Sequence, residues 1–282
     1  MCALAARDFE RIAALMHREA GIELTEGKMP LVHSRLSARL KSLRLATYGD
    51  YCDFIESAAG EAERLEMLSV LTTNVTRFYR EAHHFDYLEK AMVPQMRAAL
   101  DAGRSVRVWS AGCSTGEEPY SLALTFLAAI PALGKADFRI LATDIDPAVL
   151  DTAAQGIYPS RSLKSVPEEQ KQRYFSAARA APDMWEVGQE IKDLVSFRHL
   201  NLISDWPFKR KFDVIMCRNV VIYFSLAAKS HVWPRLLDQL RPGGLLITGH
   251  SERLPPEAAE YAELVHKTTY RRLSVGTFAE KR

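Results

Sequence analysis

Along the first quarter of the chain the apolar positions recur every three or four residues. Phe9, Ile12, Ala13 and Met16 make one stripe, and Val32, Leu36, Leu40 and Leu43 another. That spacing gathers apolar side chains on one face of a helix. No convincing strand interrupts it, so residues 1–72 read as a small helical domain. From residue 104 the pattern switches. SVRVWSAG is a short β run that ends in a glycine turn and leads into the helix YSLALTFLAAI. FRILATDID is a second strand, followed by the helix PAVLDTAAQG, with Pro147 in its first turn and Gly156 closing it. VSFRHLN, FDVIMCRN and GLLITGH read as three more strands, and SLAAKSHVWPRLLDQLRPGG as a helix ended by its RPGG turn. Strand and helix in alternation predict a doubly wound, parallel α/β sheet. Between 157 and 192 the rhythm breaks. PEEQKQRYF reads as helical and MWEVGQEIK as a hairpin, so this span reads as a small inserted β subdomain.

Composition narrows the class. A length of 282 residues suits one large domain or two smaller ones, and a net charge of +2 leaves any charged partner to local clustering. Cys2, Cys52, Cys113 and Cys217 form no CxxC pair and read as reduced thiols of a cytoplasmic protein. Arg7, Asp8, Glu10 and Arg11 stand where a signal peptide needs an apolar stretch. The longest apolar run, Leu122 to Ile130, falls far short of the ~20 residues that span a bilayer. A soluble protein without membrane insertion is expected, with a monomer as the default.

Ligands of such sheets sit beyond the carboxyl ends of the strands. After the first strand comes SAGCSTGEEP, where Gly112 and Gly116 allow a tight turn. The dinucleotide spacing is incomplete, and Glu117 and Glu118 stand where a phosphate loop needs lysine. Two carboxylates there suit a ligand that brings positive charge, or simply a solvated acidic helix start. The second strand ends in Asp144, placed to accept from ribose hydroxyls; Asp146 reads as the cap of the next helix. After the third strand, Asn201 and Leu202 either read an adenine edge and face or form an Asx turn. The fourth ends in CRNVVIYF, without the proline pair of amino-directed methyltransferases, which leaves an oxygen acceptor open.

Five blocks in this order, TNVTRFYREAHHF (73–85), RVWSAGCSTGEEPYS (107–121), ATDID (142–146), FDVIMCRNVVIYF (212–224) and LRPGGLLITGHSE (240–252), resemble the chemotaxis receptor glutamate methyltransferase (CheR-type) family over nearly the whole chain. The resemblance implies a class I S-adenosylmethionine (AdoMet) methyltransferase: a helical N-terminal docking domain (1–72), a linker (73–84) that closes on the cofactor, and a Rossmann-like domain (85–282) carrying the insertion. It implies cofactor contacts at Asn74, Thr76, Arg80, Gly112, Glu117, Asp144, Asn201, Leu202, Arg218 and Asn219, with Arg80 and Tyr223 at the methyl-transfer point. The substrate implied is a glutamate on the cytoplasmic helical bundle of a chemoreceptor, the products its γ-methyl ester and S-adenosylhomocysteine. Some members also tether to a receptor's C-terminal peptide through a glycine-rich loop of the insertion. The matching loop here, Ser176-Ala177-Ala178-Arg179-Ala180-Ala181-Pro182-Asp183, has no glycine, so such tethering is not expected.

A glutamate side chain is already ionised at neutral pH, its ordinary pKa being about 4.3. The reaction then needs positioning rather than a base, and neither a triad nor a metal is expected. His83 and His84 are adjacent and diverge on a helix, a poor ligand pair. Arg80 could hold the AdoMet carboxylate, the incoming glutamate, or both. Between Gly27 and Gly49 lie Lys28, Arg35, Arg39, Lys41 and Arg44 and no acid. Arg35, Arg39, Lys41 and Arg44 are the expected docking charges for an acidic receptor. Nucleic acid is the rival partner, but no interleaved aromatics accompany them. Two other readings remain: a methyltransferase for another substrate, and a catalytically silent AdoMet-binding scaffold.

Overall fold

The computed structural model describes residues 3–179, 182–274 and 276. Cys2, and Ala180 and Ala181 of the insertion loop, lie outside the described residues. The chain divides into two compact units, residues 1–73 with 223–231, and residues 74–222 with 232–282.

The first unit carries α1 (Ala6–Ala20), α2 (Met29–Ser42), α3 (Tyr48–Glu56) and α4 (Glu61–Leu71). Most of the predicted stripes are its core: Phe9, Ile12 and Met16 from α1, joined by Leu15, and Val32, Leu36 and Leu40 from α2 are buried, while Ala13 and, just past the end of α2, Leu43 sit half-buried. Gly21, left-handed at φ 68°, ends α1. Thr47 and Asp50 cap α3 reciprocally, each side chain taking the other residue's amide. Residues 223–231 return to this unit, where Phe224 bridges Ile22 and Ser225 meets His17 at 3.1 Å. Sequence pattern gave no sign of that return, because it depends on pairing across some two hundred residues.

The second unit runs α5 (His83–Ala91), α6 (Val93–Asp101), β1 (Val106–Ala111), α7 (Glu117–Ala129), β2 (Phe138–Asp144) and α8 (Pro147–Gln155). Then come β3 (Ile157–Pro159), α9 (Glu168–Tyr174), β4 (Phe175–Ala177), β5 (Met184–Val187), α10 (Gln189–Lys192), β6 (Val195–His199), β7 (Phe212–Cys217), α11 (Leu226–Asp238, of which the second unit holds the part from Val232), β8 (Leu240–Thr248), β9 (Ala262–His266) and β10 (Thr269–Arg272). The main sheet has the order β6-β2-β1-β7-β8-β10-β9. Its first five strands are parallel, while β10 pairs antiparallel with β8 and β9. The winding reverses between β1 and β7, the switch point where ligands of open α/β sheets bind. Val106, Val108, Ile140, Val214, Met216 and Ile247 form the sheet's share of the core. α7 packs there with almost every side chain buried, as its nearly unbroken apolar sequence requires.

Three expectations need correction. The five predicted strands all form, but the sheet has seven, the C-terminal β9 and β10 being short, partly exposed strands whose pattern is too weak to read. MWEVGQEIK is not a hairpin: it is β5 followed by the one-turn helix α10, and β5 pairs with β3 and β4 in a separate three-stranded sheet. The RPGG segment does not end a helix. α11 stops at Asp238 and RPGG already lies within β8, beside a register shift against β7.

Candidate functional site

The loop after β1 is shaped by its own amides. Gly112 (φ 79°) and Cys113 both donate to the Thr143 carbonyl, at 2.8 and 2.9 Å, which folds the loop over the end of β2. A Cβ on Gly112 would come within 2.3 Å of Val220 Cγ2 in a backbone conformation that side chains disfavour, so any substitution here strains the turn. The Ser114 amide donates to Asp144 Oδ2 at 2.8 Å, and its hydroxyl to the Asn74 carbonyl at 2.9 Å. The insertion is pinned to the same loop, because the Tyr158 hydroxyl donates to the Thr115 carbonyl at 2.6 Å.

Asn74, Glu117 and Asp144 are brought together here. Asp144 is 8% exposed and also accepts from the Asp146 amide at 3.0 Å. Asp146 caps α8 as expected and holds Asn74 Nδ2 at 2.9 Å. Glu117, buried in the first turn of α7, accepts from the Thr115 hydroxyl at 2.7 Å. Burial pushes both the Glu117 and the Asp144 carboxyls above the usual range, and among the described residues neither meets a cation. A buried anionic lining of this kind fits a ligand that brings its own positive charge, as the sulfonium and ammonium of AdoMet do.

After β6, Asn201 Oδ1 accepts from the Ile203 amide at 3.1 Å, so the Asx turn forms; Leu202 beside it is buried. Sequence reading missed what holds this loop. Arg235 of α11 donates to the Leu202 and Ser204 carbonyls at 3.3 and 2.6 Å and lies 4.1 Å from the Trp206 ring centre.

At the end of β7, Arg218 is a buried cross-link, its side chain 1% exposed. It meets Glu118 Oε2 at 3.1 Å and Glu81 Oε2 at 3.4 Å, and donates to the Arg80 carbonyl. Ser110 supplies Glu118 with a second bond at 2.7 Å. Asn219, left-handed at φ 59°, gives its amide to Glu252 at 2.8 Å. Glu252 also accepts from the amides of Val220 (3.0 Å), Ile222 (3.3 Å) and Gly249 (2.6 Å). This residue too went unread. Its only trace is the acid that closes LRPGGLLITGHSE.

The linker is held as tightly. Tyr79 and Glu81 are both left-handed, at φ 51° and 58°. Ser121 accepts the Tyr79 amide at 2.9 Å, Gln170 the Tyr79 hydroxyl at 2.5 Å, and the Phe78 carbonyl accepts from the Ser165 hydroxyl at 2.6 Å. Together with Ser114 and Asn219, four non-glycine residues in this costly conformation line the segments around the strand ends. Beside them opens a cavity of about 390 Å³ lined by Val75, Thr76, Arg77, Arg80, Glu81 and His250. Arg80 Nη1 donates to the Val75 carbonyl at 2.8 Å. Tyr223 belongs to the helical unit, ends a 3-10 turn (Val221–Tyr223) and is 37% exposed.

Glu81, His83 and His84 bring one ligand atom each within 4.8 Å of one another, closer than their adjacency in sequence suggested. His84 Nε2 is already engaged by the Lys267 carbonyl and the Thr268 hydroxyl, and Glu81 by Arg218. In the helical unit, Arg35 donates to the carbonyls of Val70, Leu71 and Thr72 at 3.2, 2.9 and 2.7 Å, capping the end of α4. Arg39 pairs with buried Glu63 at 2.5 Å and reaches Glu66 at 3.4 Å. Lys41 and Arg44 are exposed.

Residues 74–271 match the family described as CheR methyltransferase, SAM binding domain, and residues 7–72 the CheR methyltransferase all-alpha domain. The chain belongs to the CheR methyltransferase family. It is 44% identical over 263 residues to the probable chemotaxis protein methyltransferase of Rhizobium etli, covering 93% of this chain and 98% of that one. Identity to chemotaxis protein methyltransferase 2 of Pseudomonas aeruginosa is 40% over 268 residues (93% and 92% covered). The chemotaxis protein methyltransferase of Escherichia coli is 40% identical over 252 residues (89% and 85%). As a CheR methyltransferase the chain is an AdoMet-dependent enzyme with a Rossmann-like catalytic unit. Among the described residues no helix is long and apolar enough to cross a membrane.

Proposed function

We propose that this enzyme transfers the methyl group of AdoMet to glutamate side chains on the cytoplasmic helical bundle of chemoreceptors, giving γ-methyl esters and S-adenosylhomocysteine. The observation that carries this reading is the pairing of two environments in one unit: desolvated carboxylates at the strand ends, and a cavity lined by Arg77 and Arg80. The first suits a sulfonium nucleoside, the second an anionic acceptor. In this reading Asp144 takes the ribose hydroxyls, Asn201 and Leu202 the adenine, and Asn74, Thr76 and Glu117 the methionine end, while Gly112, Arg218 and Asn219 shape the walls. Arg80 holds a carboxylate two-pronged at the transfer point. No residue acts as a base, since the acceptor arrives ionised. The protein's contribution is alignment and exclusion of water, for which pre-organisation supplies roughly 7–11 kcal/mol. Docking falls to the cations of α2 and the turn that follows it, with Lys41 and Arg44 foremost because Arg35 and Arg39 are engaged within their own unit.

Tritiated AdoMet with receptor-bearing membranes tests the proposal. Label released as methanol by mild base identifies a carboxyl ester. Alkali-stable label would point to another acceptor, and AdoMet binding without transfer to a silent scaffold. Tyr223 is assigned to the acceptor side, where its hydroxyl donates to the incoming carboxylate. Comparison of Tyr223→Phe with Tyr223→Ala checks this: equal losses of kcat are expected, and full activity of Tyr223→Phe would reduce the residue to a wall.

A further inference from the structure

Two guanidiniums line the cavity, and a third, that of buried Arg218, holds the Glu81 carboxylate of its wall. Arg218 is matched to Glu81 and Glu118, at 3.4 and 3.1 Å, and Arg80 is tied to the Val75 carbonyl at 2.8 Å. Arg77 differs. It is exposed, and among the described residues its guanidinium has neither a hydrogen bond nor an ion pair. The same cavity is lined by His250, 70% exposed, whose Nδ1 lies 3.3 Å from Glu81 Oε1. A carboxylate only accepts, so Nδ1 carries the hydrogen and Nε2 is left for an outside partner. The ring does not hang loosely, since it follows Gly249, whose amide Glu252 grips at 2.6 Å. Val75, 74% exposed, adds an apolar step to the lining.

Arg77 and Arg80 line the cavity against one acid, Glu81, which Arg218 already partners at 3.4 Å, so the lining carries excess positive charge before His250 is counted. The cofactor's own carboxylate and the acceptor need cations held inside the site, where Arg80 sits half-buried. An exposed, unpaired fork at the rim is of little use to a ligand enclosed within. It meets whatever approaches from outside, and complementary charge there governs encounter and orientation. We propose that Arg77 and His250 form a docking rim for an acidic side chain of the protein substrate that neighbours the acceptor carboxylate, with Val75 packing beside it. The proposal rests on the reading of a glutamate-bearing protein substrate and adds what that substrate must display: a second carboxylate close to the one that is methylated.

The test is steady-state methylation of receptor membranes by the full-length enzyme and its Arg77→Ala, Arg77→Glu and His250→Gln variants, with AdoMet affinity measured by calorimetry. Receptor KM is expected to rise about tenfold in Arg77→Ala, the loss of one well-placed charge contact, and further in Arg77→Glu. The salt dependence of receptor KM should flatten, with kcat and the AdoMet Kd within twofold of wild type. A receptor in which an acidic residue within one helical turn of the methylated glutamate is changed to lysine should restore activity to Arg77→Glu. An unchanged receptor KM in Arg77→Glu overturns the proposal. So does a weakened AdoMet Kd with receptor KM intact, which would give Arg77 to the cofactor's carboxylate. Wild-type enzyme that binds AdoMet but methylates no receptor would instead sink the functional reading, and the rim's occupant with it.

Discussion

Four backbone amides converge on the carboxylate of Glu252, and that single group sets the path of the chain from Asn219 to Ile222. A glutamine keeps one acceptor oxygen and replaces the other with a donor, so it cannot take all four. Each bond lost from a charged acceptor is worth about 1.5–3 kcal/mol. Glu252→Gln should therefore lower Tm by several degrees and weaken AdoMet binding at least tenfold by calorimetry; an unaltered Kd would confine the residue to stability. Arg80 is a different case, a side chain whose burial is partial and whose fork is its asset. Arg80→Ala should abolish most methyl transfer and Arg80→Lys much of it, because a lysine offers a point charge rather than two parallel donors. Near-normal turnover in both would remove it from the site. Arg80 and Asp144 could be nominated from the sequence because their types and positions suggest a chemistry. Glu252 and Arg235 were not, since their roles consist of contacts with backbone atoms far along the chain, which no local pattern encodes.

The sequence groups the four cations on and just after α2 as expected docking charges, yet the structure divides them. Arg35 serves the open carbonyls at the end of α4, where a cation also meets the negative end of the helix. Arg39 neutralises Glu63, which is buried and also accepts from the Tyr51 hydroxyl at 3.0 Å. Removing one partner of a buried pair costs about 3–5 kcal/mol, because the other charge is stranded. Arg39→Ala should accordingly lose stability in urea melts, whereas the double variant Lys41→Glu/Arg44→Glu should melt like wild type and raise receptor KM. A normal receptor KM in that double variant would remove α2 from docking. Helical periodicity identified the buried face of α2 correctly. It could not say which charged positions turn to α4, since that depends on where the next helices pack.

Across the whole molecule, burial sets the charge state of several groups, and the consequence for stability has a definite sign. Burial, with the Arg218 guanidinium nearby, lowers the His84 pKa from 6.5 to about 3. As pH falls below 6.5 the unfolded chain takes up this proton first, while the folded state takes it up only near pH 3. His84 thus contributes stability that is present above pH 6.5 and drains away on acidification, by at most ~1.4 kcal/mol per pH unit. Denaturant midpoints at pH 7.5, 6 and 5 should fall more steeply for wild type than for His84→Gln, and parallel slopes would refute the assignment. Strand and helix alternation, the glycine loop and the acids after β1 and β2 are written in local order, so the α/β class and the helical first unit follow from apolar period and residue type alone. The C-terminal strands β9 and β10, the return of residues 223–231 to the first unit, the Arg218 cross-link and the cavity at Arg77, Arg80 and His250 arise where distant segments meet. Their energies come from burial and from hydrogen bonds across long separations, and neither is defined until the chain has closed on itself.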